Sequence, residues 1–182
     1  MPARDYLVTP DYPLCQAGAA RGGAINKDKL HFFGSWEYND QNRNQLMTLG
    51  GGAGQVPEPV RTQLAAFEGI VPDPFKSNLA FGKISWQAQT SDVVDFTGFY
   101  RHENEVKDVG QQRAFEAGTD IINGVWNVQA KNSWLSSRFL NETTVGYQDY
   151  QWNPSPVDAG TVGLDSPNVL RIGSTANLQN SN

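Results

Sequence analysis

The chain has 182 residues, enough for one domain with a sizeable core. Fourteen basic against nineteen acidic residues leave a net charge of -5, which argues against a binder of nucleic-acid backbone, and aromatics at 11% exclude wholesale disorder. No run of about 18 apolar residues exists to make a transmembrane helix, and the single Cys15 excludes both an intramolecular disulfide and a cysteine zinc cluster.

The start, MPARDYLVTPDYPLC, lacks a basic segment followed by an apolar one, so no signal peptide is expected there. The protein is then cytoplasmic, or the sequence begins inside a longer chain. Residues 1–28 read as loop, with Pro2, Pro10 and Pro13 and a turn signal at Arg21-Gly22-Gly23. The first strand is expected over 29–38, where Leu30, Phe32, Gly34, Trp36 and Tyr38 share one face. Residues 39–77 read as a long polar connection with a Gly cluster at 50–54. It should hold one short helix that starts at Pro59, repeats Val60, Leu64 and Phe67, and ends at Gly69.

A strand over 79–89 puts Ala80, Gly82, Ile84, Trp86 and Ala88 opposite Lys83, Ser85 and Gln87. After a short turn at 90–92, a strand over 93–103 sets Val94, Phe96, Gly98 and Tyr100 against Asp95, Thr97 and Arg101, with Phe99 breaking the polar side. A polar connection covers 104–120. The strand over 121–132 turns Ile122, Gly124, Trp126, Val128 and Ala130 one way and Asn123, Asn127, Gln129 and Lys131 the other. A tight turn at 135–138 leads to a last strand over 139–152, and the tail 153–182 shows no clear element.

These strands are long against the usual five or six residues, and their connections alternate between long and short. An up-and-down outer-membrane barrel has that signature: short turns at one end, long loops at the other, and strands apolar on one face and polar on the other. The expected class is therefore all-β, with antiparallel up-and-down strands forming part of an outer-membrane barrel, long extracellular loops and one short helix in a loop. Ile84, Trp86, Phe96, Trp126 and Val128 would then meet lipid, and Trp36, Tyr38, Tyr100, Tyr150 and Trp152 suit an interfacial girdle. Lys83, Ser85, Gln87, Asp95 and Thr97, together with Arg101, Asn127, Gln129 and Lys131, would line the interior as candidate ligand contacts. The alternative is a soluble β-sandwich serving adhesion or carbohydrate binding, whose strands also alternate.

Nothing points to an enzyme or a cofactor. His31 and His102 lack a metal-ligand spacing, and the Gly50–Gly54 cluster has no following Lys-Ser/Thr for a phosphate loop. The acidic pairs Glu103/Glu105 and Asp92/Asp95 lack calcium-loop spacing and read as solvated charge. The sequon at Asn141 falls within an expected strand.

One stretch carries a family resemblance. Gly22-Gly23-Ala24-Ile25-Asn26-Lys27-Asp28-Lys29-Leu30-His31-Phe32-Phe33-Gly34-Ser35-Trp36-Glu37 resembles a segment of TonB-dependent outer-membrane receptors, in the Oar-like branch. Ala24 stands where that family usually has Pro, and His31 where it has an aromatic. Phe81-Gly82-Lys83-Ile84-Ser85-Trp86 and Leu140-Asn141-Glu142-Thr143-Thr144-Val145-Gly146-Tyr147 are similar to later segments of the same barrels. The likeness spans roughly residues 21–150. It implies an outer-membrane location, lipid as surroundings, and a plug domain and the TonB energy-coupling protein as partners of the intact receptor. No signal peptide, TonB box, plug or terminal aromatic strand is recognisable, so the resemblance implies an internal fragment of a barrel, not a working transporter alone. Five strands cannot close a barrel of about 22.

Overall fold

A computed structural model describes residues 13–174. The readings made for 1–12 and 175–182 lie outside these described residues. The fold is all-β: one open antiparallel sheet whose six strands follow chain order, β1 to β6. They are β1 (Leu14–Asn26), β2 (Leu30–Met47), β3 (Gly69–Gln89), β4 (Asp92–Lys107), β5 (Thr119–Leu135) and β6 (Leu140–Pro156). A separate small sheet pairs β7 (Leu164–Ser166) with β8 (Leu170–Ile172). Helix α1 (Glu58–Leu64) has Pro59 in its first turn, as expected, and continues as a 3-10 turn over Ala65–Phe67 before Gly69 opens β3. The strands are joined by short turns at one end of the sheet and by long connections at the other.

Four expectations need correction. Residues 14–26 are not loop but strand β1. Its sequence is almost all small residues, so it shows no apolar period; pairing with β2 from Leu14↔Gln41 to Asn26↔Leu30 imposes the extended form. The expected turn at Gly22-Gly23 lies inside this strand. The chain reverses at 27–29, where Asp28 takes φ 60 and Lys29 N–H donates to Asn26 O at 3.1 Å.

The long connection is 48–68, not 39–77. β2 and β3 pair without a break from Leu30↔Trp86 to Met47↔Gly69. Beyond Tyr38 both faces of β2 turn polar, which hides the strand from a periodicity argument. Pro72 and Pro74 also read as loop. They are tolerated because β4 pairs only with β3 residues from Phe75 onward, so both prolines sit where one side of β3 is an open edge.

The tail is not without elements. β6 runs on to Pro156, and β7 and β8 are three residues each, too short to carry a period. Likewise β4 and β5 extend into the connection expected over 104–120, leaving 108–118 between them.

Register aligns the faces. Directly opposed residues share a face. Phe32, Ile84, Phe96, Ala130 and Val145 form one row across five strands. Gly34, Gly82, Gly98, Val128 and Tyr147 form the next, and Trp36, Ala80, Tyr100 and Trp126 the one after, closed by Asp149. The apolar residues of each strand thus merge into one continuous face. Nothing among the described residues covers it. Ile84, Trp86, Phe96, Tyr100, Trp126 and Val128 stand 42–49% exposed. Among the described residues the two fully buried large side chains, Met47 and Leu170, lie instead at the long-connection end. There they pack with Ala53, Val71, Ala114 and Val169 into a small core.

That core is tied by backbone as well. Gly50 N–H donates to Val169 O at 2.8 Å, Gly52 N–H to Asn168 O at 2.9 Å, and Gln111 N–H to Leu46 O at 2.7 Å. The three long connections therefore close into one ordered cap.

Candidate functional site

The apolar face is bounded by aromatic side chains. Trp36, Tyr100 and Trp126 occupy one row toward the cap, and Trp126 Nε1–H donates to Asp149 at 3.1 Å. Toward the short turns stand Trp86 and Trp134, the latter edge-on to Phe139 at 5.4 Å between ring centroids. Trp126 and Trp134 are eight residues apart on β5. That is about 27 Å along the strand, and about 20 Å across a layer if the strand is tilted by about 40°. Between the rows Gly82 and Gly98 leave a shallow apolar hollow of about 740 Å³, bounded by Ile84, Phe96, Val128 and Tyr147. Two of the expected girdle residues belong elsewhere. Tyr150 opposes Val125 and Trp152 opposes Asn123, which puts both rings on the polar face. Period-two counting along β6 from Tyr147 separates them, a signal present in the sequence.

The eight predicted contact residues and Thr97 all share that polar face, but they do not form one cluster. Ser85, Asp95 and Lys131 fall in one row, next to the Lys83, Thr97 and Gln129 row. Asp95 accepts from Ser85 Oγ–H at 2.6 Å and pairs with Lys83 Nζ at 3.0 Å. Lys131 turns to Glu142 at 2.6 Å, a partner absent from the sequence reading. Gln87 donates to the carbonyls of Gln89 and Thr90 at 2.6 and 3.3 Å, so its amide closes the turn.

Phe81 and Phe99 then cross the polar face beside Asn127, with Phe33 and Phe81 rings 6.0 Å apart. This apolar strip separates the lower cluster from Arg101, whose Nε lies 3.7 Å from Glu103 and lacks a hydrogen-bond partner. Ser77 Oγ and Asn123 Oδ1, buried one row further on, are also unpartnered.

Toward the cap a second polar group gathers that sequence reasoning missed, because it lies on the stretch read as loop. Arg43 reaches Asp73 at 3.4 Å and Glu105 at 3.9 Å, and its guanidinium sits 5.3 Å from the Phe75 ring centroid. Gln45 donates to Asp73 at 3.1 Å. Asp73 and Glu105 are buried, so pairing with Arg43 offsets desolvation and fixes the two strands together. Among the described residues no three His, Cys, Asp or Glu side chains gather to hold a metal ion. No described helix is long and apolar enough to cross a membrane, which leaves strands untouched by that statement.

Comparison with known proteins finds no matching family model, no matching curated protein and no matching solved structure.

Proposed function

We propose that this chain is part of the wall of an outer-membrane β-barrel, a fragment of a TonB-dependent receptor that takes up ligands from outside the cell. The observation that carries the reading is the continuous apolar face, left exposed across β2 to β6 while the buried core sits in the cap. In water that arrangement wastes apolar surface, since burying such residues stabilises by about 1.5–3 kcal/mol each. In lipid it is the stable one, because only every second residue needs to be apolar. Two aromatic rows about 20 Å apart suit the interfaces of a band about 25 Å tall. Short turns at one end and long connections at the other suit the periplasmic and extracellular sides.

The outer edges of β1 and β6 carry no strand partner among the described residues. Unpaired backbone is not tolerated in lipid, so the reading requires further strands on both sides. The receptor identity rests on the likeness of residues 22–37. In such receptors the barrel encloses a plug, and energy passed through the TonB protein releases ligand inward. The polar face would border that plug or the solute path, and the cap would face the medium. A sandwich would need a second sheet over the apolar face; the β7–β8 sheet lies in the cap instead.

Quenching by brominated phospholipid tests the wall reading. Four of the five tryptophans, at 36, 86, 126 and 134, are on the apolar face, and Trp152 is on the other. Chains keeping only Trp86 or only Trp126 should be quenched strongly and a chain keeping only Trp152 weakly. Equal quenching of all three would remove the assignment of lipid and interior faces.

A further inference from the structure

We propose that a polar cavity in the cap binds a phosphate group between Arg113 and Arg171. The cavity measures about 570 Å³ and lies between residues 108–113 and the β7–β8 hairpin at 166–171. Ligand sites commonly span about 300–1,000 Å³.

Arg113 and Arg171 are partners in a parallel bridge, so their side chains leave the backbone on the same side. Like charges so placed repel unless an anion lies with them. The carboxylates nearby only partly supply one. Arg113 Nη1 is 3.6 Å from Asp108 Oδ1, too long for a hydrogen bond. Arg171 spends Nε–H on Asp165 at 2.7 Å, and its two terminal amino groups have no partner among the described residues. Each arginine thus has one carboxylate beside it, and of the two carboxylates only Asp108 lines the cavity. Gln111, Gln112 and Asn168 also line the cavity. Two planar guanidiniums match the several oxygens of a phosphate, whereas a lone carboxylate needs one.

The site is also built rigidly. Asp108, Gln111 and Asn168, with φ of 61, 54 and 61, all line it. Only one other non-glycine among the described residues, Asp28, has positive φ. Such backbone costs about 1–3 kcal/mol per residue and collects at ligand clamps. Arg171 N–H donates to Gln112 O at 2.7 Å and Ala114 N–H to Arg171 O at 3.0 Å, which locks the two walls together. Leu170, 1% exposed, anchors the hairpin in the core below. Donors held in place before binding lose little entropy when the anion arrives.

The phosphate could belong to a lipid headgroup of the surrounding leaflet or to a soluble phosphate ester. Titration of inorganic phosphate into the full chain in non-ionic detergent tests the site, followed by calorimetry. Saturable binding is expected, at least about tenfold weaker in the R113Q/R171Q variant. Arg61→Gln, on the exposed helix, should leave it unchanged. Asp108→Asn removes the lining carboxylate while keeping a residue that tolerates positive φ, and should tighten binding severalfold. Absence of saturable binding, or equal binding by R113Q/R171Q, overturns the proposal. If that variant loses its protease-resistant cap, D108N decides, and unchanged or weaker binding overturns it. Phosphatidic acid micelles that outcompete inorganic phosphate assign the lipid source, and their failure to compete assigns the soluble one. The titration does not depend on lipid contact, so it can fail while tryptophan quenching succeeds, and the reverse.

Discussion

Phe96→Arg offers a sharp test of the apolar face. Phe96 lies four residues from Tyr100 in the cap-side aromatic row and four from Asp92, which opposes Trp134. Each interval is about 13 Å along the strand, or about 10 Å of depth at a tilt of about 40°. An arginine there sits near the middle of an apolar layer, where a charge on the lipid face of a barrel costs about 2–4 kcal/mol. That lowers the folding equilibrium about 30-fold to several hundredfold. Phe96 is 49% exposed, so loss of its packing adds little. In a water-facing sheet the same substitution would fall within about 0.5 kcal/mol. Thr97→Arg is the internal control, because it changes the adjacent residue on the polar face, opposite Lys83 and Gln129. The assay is urea unfolding, in phosphatidylcholine vesicles, of the closed barrel that contains these strands, followed by tryptophan emission. The expected result is a large loss for F96R and a loss below about 1 kcal/mol for T97R. Equal effects of the two, or stabilisation by F96R, would refute the reasoning.

The cap should fail separately from the sheet. Leu170→Ala empties part of a core of few residues and should cost about 2–5 kcal/mol, confined to the cap. Limited proteolysis within 48–68 and 157–174 should speed up while strand circular dichroism persists; an unchanged cleavage rate counts against the core as the cap's anchor. Asp158 gives a pH prediction. The Thr161 hydroxyl and then the Gly160 N–H bind its carboxylate and hold its pKa below the ordinary 3.8. The turn's added stability is therefore present above the ordinary carboxylate range and is lost as pH falls through the depressed folded value. The NMR shifts of the Gly160 and Thr161 amides should hold to below the ordinary value before moving, and a midpoint at or above it removes the argument.

The strands at 79–89, 93–103 and 121–132 were legible because each alternates apolar and polar residues against a partner that does the same. α1 was legible through Pro59 and the Val60–Leu64 spacing. The identity of the polar-face residues followed from the same alternation, since counting by two needs no partner. Strand β1 and the far half of β2 were not legible. Their residues are small, or polar on both faces, and only the hydrogen bonds of a neighbouring strand make them extended. Pro72 and Pro74 fall in the stretch read as a connection, and only pairing shows that they sit on an open edge. Which polar residues meet also depends on register: Lys131 finds Glu142, Gln87 turns to its own hairpin, and Arg43 crosses to Asp73 and Glu105. The cap cavity lies furthest from the sequence. Arg113 and Arg171 are nearly sixty residues apart and come together only because Met47, Leu170 and their neighbours bury one another. Local alternation thus determined that there would be long two-faced strands and which side chains each face would carry. Only the tertiary structure decided where those strands end, which charges pair and where a cavity opens. Those depend on contacts between segments distant in the chain, and no local pattern encodes them.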